Sequence, residues 1–401
     1  MNIGIVSPYP PPNVKHAQLS GVASYTRNLA CSMKDDAQHK LLVFANRMQD
    51  HHSCTEEGIE VVRCWDQGIR FPLQLAMAVL KNRKRLNVLH IQYEVFLYGG
   101  VACAIAFPFL LAFLRLCRIP VVTTVHQVIP LARVSNQFLV EMGIKGNPII
   151  LKIGLYVLIK SIVGLSNAAI VHEPVFQDIL ARQYRCGGKV HVVPHGIEAV
   201  EYLPDRESAR SRLGINGQRT LLFFGYLANY KGLELLIDAF RNLKDDDYLL
   251  YIAGGEHPRL KGDPSYQQYL SHLRARGSAV SERIKFTGFV PEEDIPLYFS
   301  AADVAILPYT GIMSSSGPLS LCVAYSQPFL ASSSLGSVVD EPALLFDSDS
   351  WGLSTKIEEF FVDEELRTQS RAYCRRLLEE RLWPNIGQKT CGVYRTTRTR
   401  S

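Results

Sequence analysis

Short apolar, β-branched runs recur along the 401-residue chain, and longer stretches with helical spacing separate them. Before Pro194 they are NIGIVS, KLLVFA, IEVVRC, VLHIQ, VVTTVH, AAIVH and VHVVP. After Arg219 they are TLLFFG, YLLYIAG, IKFTGF, DVAILP, PFLAS and ALLF. Strands alternating with helices predict parallel sheets covered by helices on both faces. One sheet of thirteen strands would be unusual, whereas two of six or seven are ordinary. The fold class expected is therefore α/β, with two doubly wound domains. The polar stretch HGIEAVEYLPDRESARSRLG, 195–214, has no strand signal and is the expected hinge.

In such sheets ligands bind beyond the carboxyl ends of the strands. The loops expected there are rich in Gly, Ser, Pro, His and Lys, and two facing rims of this kind make one deep cleft. Gly21 opens a helix, VASYTRNLACSM, where backbone N–H groups can approach an anion, although Ser20 can equally be a plain N-cap. Lys231, in GYLANYKG, lies near the start of the helix LELLIDAF. A cation there is unfavourable for the helix dipole, and a bound phosphate would supply its reason. The third loop ends in SSSGPLSL, with Pro318 at a first helical turn and Gly317 giving access to the backbone. Taken alone, Ser314, Ser315 and Ser316 fit a helix cap as well as a phosphate cradle; with Lys231 on a neighbouring loop the cradle is favoured. His90, His126, His172 and His195 are single residues at strand ends without metal spacing, and His126 is the best functional candidate among them. One D-x-D, Asp347-Ser348-Asp349, fits a loop or an N-cap better than a metal site.

Composition changes this picture in three ways. The net charge is +5, but residues 1–200 carry +8 and residues 201–401 carry −3, which suits an anionic partner such as a diphosphate or an acidic membrane surface. The charge is too dispersed for a nucleic-acid stripe. Nine scattered cysteines and a start lacking signal-peptide features point to a reducing, cytoplasmic setting. Two segments are strongly apolar. The run from Gly99 to Leu114 is about one turn short of a membrane span and contains Pro108, so a buried or interfacial helix is expected. Residues 149–165 carry Lys152 and Lys160 among apolar residues. They are compatible with a helix on a lipid surface, at the inner face of the plasma membrane, although an inter-domain or core helix with snorkelling lysines is the favoured reading.

Several motifs, in order, resemble glycosyltransferase family 4: SPYPPP with SGVASYTRNLA, HIQYEVFLYGG, VVTTVHQVIP, VVPHGIE, FFGYLANYKGLELLIDAF, IKFTGFVPEEDIPLYFSAADVAILPY and SGPLSLCVAYSQPFLAS. The ending WPNIGQKTCGVYR resembles the helix that crosses back to the first domain. The resemblance implies the GT-B fold, two Rossmann-like domains facing across a cleft. Residues 1–198, joined by the helix 380–401, would bind the acceptor, and residues 199–379 the nucleotide sugar. It implies a retaining, metal-independent hexosyltransferase with no cofactor beyond its nucleotide-diphosphate sugar donor, acting on a saccharide or lipid-linked acceptor in polysaccharide biosynthesis. By position, Gly21 would face the diphosphate or an acceptor phosphate and His126 the transferred sugar. Lys231 would hold the diphosphate, with Ser315, Ser316, Gly317, Pro318 and Leu319 at the helix start. Gly288, Phe289 and Val290 would border the base, and Glu94 and Glu173 would line the acceptor side. Tyr226 stands where the family has an arginine, and Met313 and Leu321 stand in place of its paired glutamates. The rival readings are an inactive homologue serving as a binding subunit of an active transferase, which those three positions motivate, and a sugar-nucleotide epimerase, which the shortage of acidic strand-end residues in 220–320 disfavours.

Overall fold

A computed structural model of the chain describes residues 1–12, 21–34, 39–49, 53–141, 144–200, 202–258 and 260–398, so Ser20 and the last three residues lie outside it. The first sheet runs β3 (Cys54–Glu56), β4 (Ile59–Trp65), β2 (Lys40–Asn46), β1 (Asn2–Val6), β5 (Val88–Tyr93), β6 (Val121–Val125), β7 (Ala168–Val171) and β8 (Val190–Val192). The second runs β11 (Ile284–Gly288), β10 (Tyr248–Ala253), β9 (Arg219–Phe224), β12 (Val304–Leu307), β13 (Phe329–Ser332) and β14 (Leu345–Phe346). Every pairing is parallel except β3 with β4. All thirteen expected strands are present, and β3 is additional. It has no apolar run to announce it; Glu57 and Gly58, both at positive φ, turn it back on β4 as a tight hairpin. Central strands such as β5, β6, β10 and β12 are buried along their whole length, which is why they appear as continuous apolar runs rather than alternating ones.

The first sheet carries α1 (Gly21–Lys34) on one face. On the other lie α2 (Phe71–Asn82), α3 (Val101–Leu116), α5 (Pro148–Leu165) and α6 (Pro174–Arg182), with the short α4 (Asn136–Glu141) between α3 and α5 in the chain. The second sheet is flanked by α7 (Arg206–Arg212), α8 (Leu233–Arg241), α9 (Pro264–Val280), α10 (Ile295–Ala301), α11 (Gly317–Ala324), α12 (Ser350–Val362) and α13 (Glu364–Arg381). The last helix, α14 (Trp383–Arg398), leaves the second sheet and packs beside α1, where Trp383, Ile386 and Tyr394 join Ile3, Tyr25 and Leu29 in one core. Gly196 admits this crossing, because a side chain there would collide with the Trp383 indole.

The expected helix over the 99–114 run is α3, with Pro108 inside it, and one expectation needs correction. The 149–165 segment is not a core helix. Leu155, Ile159 and Ile162 pack on the sheet, but Ile149, Ile150, Ile153 and Val157 on the other side are exposed. The α5 helix has the length and apolar composition of a membrane span, yet that inner stripe anchors it along the sheet.

Candidate functional site

Strand order reverses direction once in each sheet, between β1 and β5 and between β9 and β12. Such switch points open a crevice at the strand ends, because the connections on either side depart in opposite directions. Gly21, at the start of α1, and the loop holding Glu94 flank the first crevice, and the loops holding Lys231 and the start of α11 flank the second.

At the second crevice β9 ends in Gly225, at φ +121°. The chain then turns through a short helical turn, Asn229–Lys231, and Gly232, at φ +66°, starts α8. A Cβ on Gly232 would strike the Pro308 carbonyl, so the turn is locked against the loop after β12. This geometry points Lys231 inward. It is only 6% exposed, and its Nζ stands 5.7 Å from the Tyr309 ring and 5.9 Å from the Phe223 ring. Among the described residues its ammonium makes no hydrogen bond and no ion pair. Burial alone brings its pKa down from 10.5 to about 8. A Cβ placed on Gly225 would lie 2.7 Å from Lys231 Nζ and 2.9 Å from Pro318 Cγ. The ammonium and the start of α11 therefore converge on one spot.

That helix start is built by Ser316. Its Oγ accepts from Leu319 N at 3.2 Å and donates to Tyr309 Oη at 3.3 Å. The hydroxyl expected to face a ligand is thus a helix cap, and it ties α11 to the ring beside Lys231. Two further expectations are trimmed. Pro318 has no N–H to offer, and the Leu319 N–H is taken by the cap. The N–H groups of Ser316 and Gly317 have no acceptor among the described residues, and Gly317 is open to solvent. Ser315 Oγ is buried without a partner. On the other flank the loops after β9, β10 and β11 stack side by side. Gly254 abuts the Gly225 carbonyl, and Gly255 lies under Phe289. Gly288 is at φ +72°, Phe289 is exposed and Val290 is buried. Tyr226 points to His257, ring to ring at 5.7 Å.

The same loop reaches the first sheet. Gln127 bridges Ser314, and Val128 N donates to Met313 O at 2.9 Å. The Met313 side chain sits in the first sheet's core, so an apolar residue stands there for a packing reason. Arg133 lies against Gly311, with its Nη1 buried and unpartnered. These contacts bring the loop that follows His126 against residues 311–314, just ahead of α11. Tyr25, one turn after Gly21 on α1, touches His126, His172 and His195 with ring centroids 4.7, 5.2 and 5.1 Å away.

The His126 ring is embedded among hydrogen-bonding groups of the protein. His172 Nδ1 is 3.0 Å from Val193 O, which only accepts, so Nδ1 carries a proton. Burial pushes His172 down to about 3, and the ring is neutral. Its Nε2 lies 3.1 Å from His126 Nδ1. His126 is also held well below its usual value by burial, and its Nε2 lies 2.9 Å from Gln92 Oε1, an acceptor. Both ring nitrogens of His126 thus have protein partners, where the sequence suggested an open ring. Glu173 is a second correction. Its carboxylate does not face an acceptor but grips Arg381 at 2.8 and 3.2 Å. Asp349 of the D-x-D caps α12 through Gly352 N at 2.8 Å. No group of three or more His, Cys, Asp or Glu gathers at metal-binding distance among the described residues. Gly225, Tyr309, Gln92 and Arg133 escaped the sequence reading, and the glycine directly ahead of YLANYKG was the one local signal that could have found one of them.

Residues 19–201 match the family model described as Glycosyltransferase Family 4, and residues 205–327 match that described as Glycosyl transferases group 1. The chain belongs to this glycosyltransferase family. Alpha-monoglucosyldiacylglycerol synthase of Streptococcus pneumoniae is 23% identical over 338 residues, 78% of this chain and 69% of the relative. Three other curated bacterial relatives align over only 37%, 66% and 32% of their own length. In fold, sucrose-phosphate synthase from Thermosynechococcus elongatus superposes over all of both chains with a TM-score of 0.75 at 17% identity. HepE from Anabaena, solved with UDP and glucose, covers 99% of this chain and is itself fully covered, with a TM-score of 0.70 at 16% identity. The two-domain GT-B arrangement of this family is therefore the fold of the chain.

Proposed function

We propose that the chain is a retaining, metal-independent hexosyltransferase that moves a hexose from a nucleotide-diphosphate sugar to a hydroxyl of a saccharide or lipid-linked acceptor. The reading rests on the unpaired, buried ammonium of Lys231 converging with the start of α11 on Gly225. Burying a cation without a partner is costly, and folds tolerate it where a ligand anion completes the pair. HepE, solved with UDP and glucose, favours a nucleotide-sugar donor, and the similarity to a monoglucosyldiacylglycerol synthase admits a lipid acceptor.

In this mechanism the bond between the anomeric carbon and the β-phosphate oxygen breaks. The acceptor hydroxyl attacks from the same face and forms the new glycosidic bond, and its proton passes to the departing phosphate oxygen. Lys231 and the Ser316 and Gly317 amides stabilise the charge that grows on the β-phosphate. Phe289 and Val290 border the base. His126 orients the hexose, a sugar hydroxyl taking the place of Gln92 at Nε2. Residues 1–198 with 380–401 form the acceptor half and 199–379 the donor half. Closure of the halves excludes water. Lys231→Ala tests the assignment. Transfer should fall by about 10²–10³-fold, the usual cost of losing one such electrostatic donor, and nucleoside-diphosphate affinity should fall with it. Unchanged transfer and affinity would overturn it.

A further inference from the structure

The layer formed by α2, α3 and α5 is apolar twice over. Its inner stripe, with Leu75 of α2, Phe107 of α3 and Ile159 of α5, fills the core against the sheet. A second apolar stripe on each helix points away from the sheet. On α2 it holds Leu73 and Met77, four residues apart; on α3, Ile105, Phe109 and Leu116; on α5, Ile150, Ile153 and Val157. Phe109 is 73% exposed, Leu116 83% and Ile150 71%, where a water-facing helix would carry polar side chains. Because α3 packs against both α2 and α5, the three stripes merge into one face.

The charged residues on these three helices have a single sign. The three helices contain no Asp or Glu, and their charged residues are Lys81, Arg115, Lys152 and Lys160. Arg83, Lys84 and Arg85 follow α2 directly, and Arg118 follows α3, all exposed. A second copy of the chain docked face to face would set this basic rim against itself. A surface of lipid phosphates meets it with the opposite sign while the stripes enter the acyl boundary. We infer that the α2–α3–α5 face docks the protein on a bilayer containing anionic phospholipid. The amino ends of these helices follow the carboxyl ends of β4, β5 and β6, so the docked face adjoins the rim of the first crevice. Docking itself is independent of the transfer reading; it deepens that reading by placing the acceptor on a lipid surface, and only this last step rests on it.

Flotation of the full chain with vesicles tests the inference, without any nucleotide sugar present. Vesicles of phosphatidylcholine mixed with phosphatidylglycerol should carry the protein up, and phosphatidylcholine alone, or high salt, should weaken binding by about tenfold or more. Ile105→Asp with Phe109→Asp, and separately Lys81→Glu with Lys84→Glu, should each weaken it by a similar factor. The side chains changed are exposed, so the thermal midpoint and UDP affinity should stay at the parent values. Phe109→Ser serves as a milder variant should the double aspartate fail to fold. No flotation, flotation indifferent to the substitutions, or a lipid-free dimer dissolved by them would each overturn the inference. UDP binding without flotation sinks docking alone, and flotation without UDP binding sinks only the transfer reading.

Discussion

Lys231 shows how strongly one environment can change one side chain. In water the ammonium is hydrated; here it is walled by Phe223, Tyr309 and the Gly225 backbone, so its charged form is disfavoured. The sign of the pH dependence follows. The residue is charged below about 8 and loses its proton above it. Affinity for UDP should therefore be highest below that value and fall with rising pH by up to about tenfold per unit, until the bound anion no longer holds the proton. Calorimetric titration of UDP across this range checks it, and Lys231→Met should lose the dependence. Stability moves the other way. The unfolded chain keeps this proton up to about 10.5, so between 8 and 10.5 the residue's contribution to folding stability rises with pH.

At the scale of elements, the site is a meeting of turns. The loop after β9 delivers Lys231, the loop after β12 delivers α11, and Gly225 is the gap between them. Gly225→Ala tests this meeting without altering either group chemically. The methyl would press on Lys231 Nζ and Pro318 Cγ, in a backbone conformation that alanine rarely adopts. UDP affinity should fall by at least about tenfold, a 1 Å misplacement of a binding group being enough to cost such factors. Parent-level affinity in a folded Gly225→Ala would mean that the two elements do not share a ligand. Tyr226, at the family's arginine position, leans on His257.

Across the whole molecule, the halves are held by contacts between distant parts of the chain. Glu173, at the start of α6, and Arg381, at the end of α13, form a two-pronged ion pair that is largely shielded from water. Beside it Ile197 N donates to Arg381 O at 2.7 Å, just where α14 begins its return. Removing one member of a buried pair leaves the other charge uncompensated. Glu173→Gln should cost about 3 kcal/mol and lower the thermal midpoint, while UDP affinity, which depends on the second half, should be nearly unchanged. A parent-like midpoint would show that the pair is not a strut.

The apolar runs by themselves determined the thirteen main strands, their division into two sheets and the helix starting at Ser316-Gly317-Pro318, because burial on both faces and capping chemistry are local properties of a sequence. The loops that carry the site were legible for the same reason. Only the tertiary structure decided that Lys231 is mostly buried with its ammonium unpaired, that Ser316 spends its hydroxyl on a cap, that Glu173 belongs to Arg381 and that Met313 fills the opposite core. It alone separated the inner from the outer stripes of α3 and α5, whose apolar residues look alike along the chain. Each of these outcomes depends on which remote segment arrives beside a residue, and that is set by the packing of the whole fold, not by neighbours in sequence.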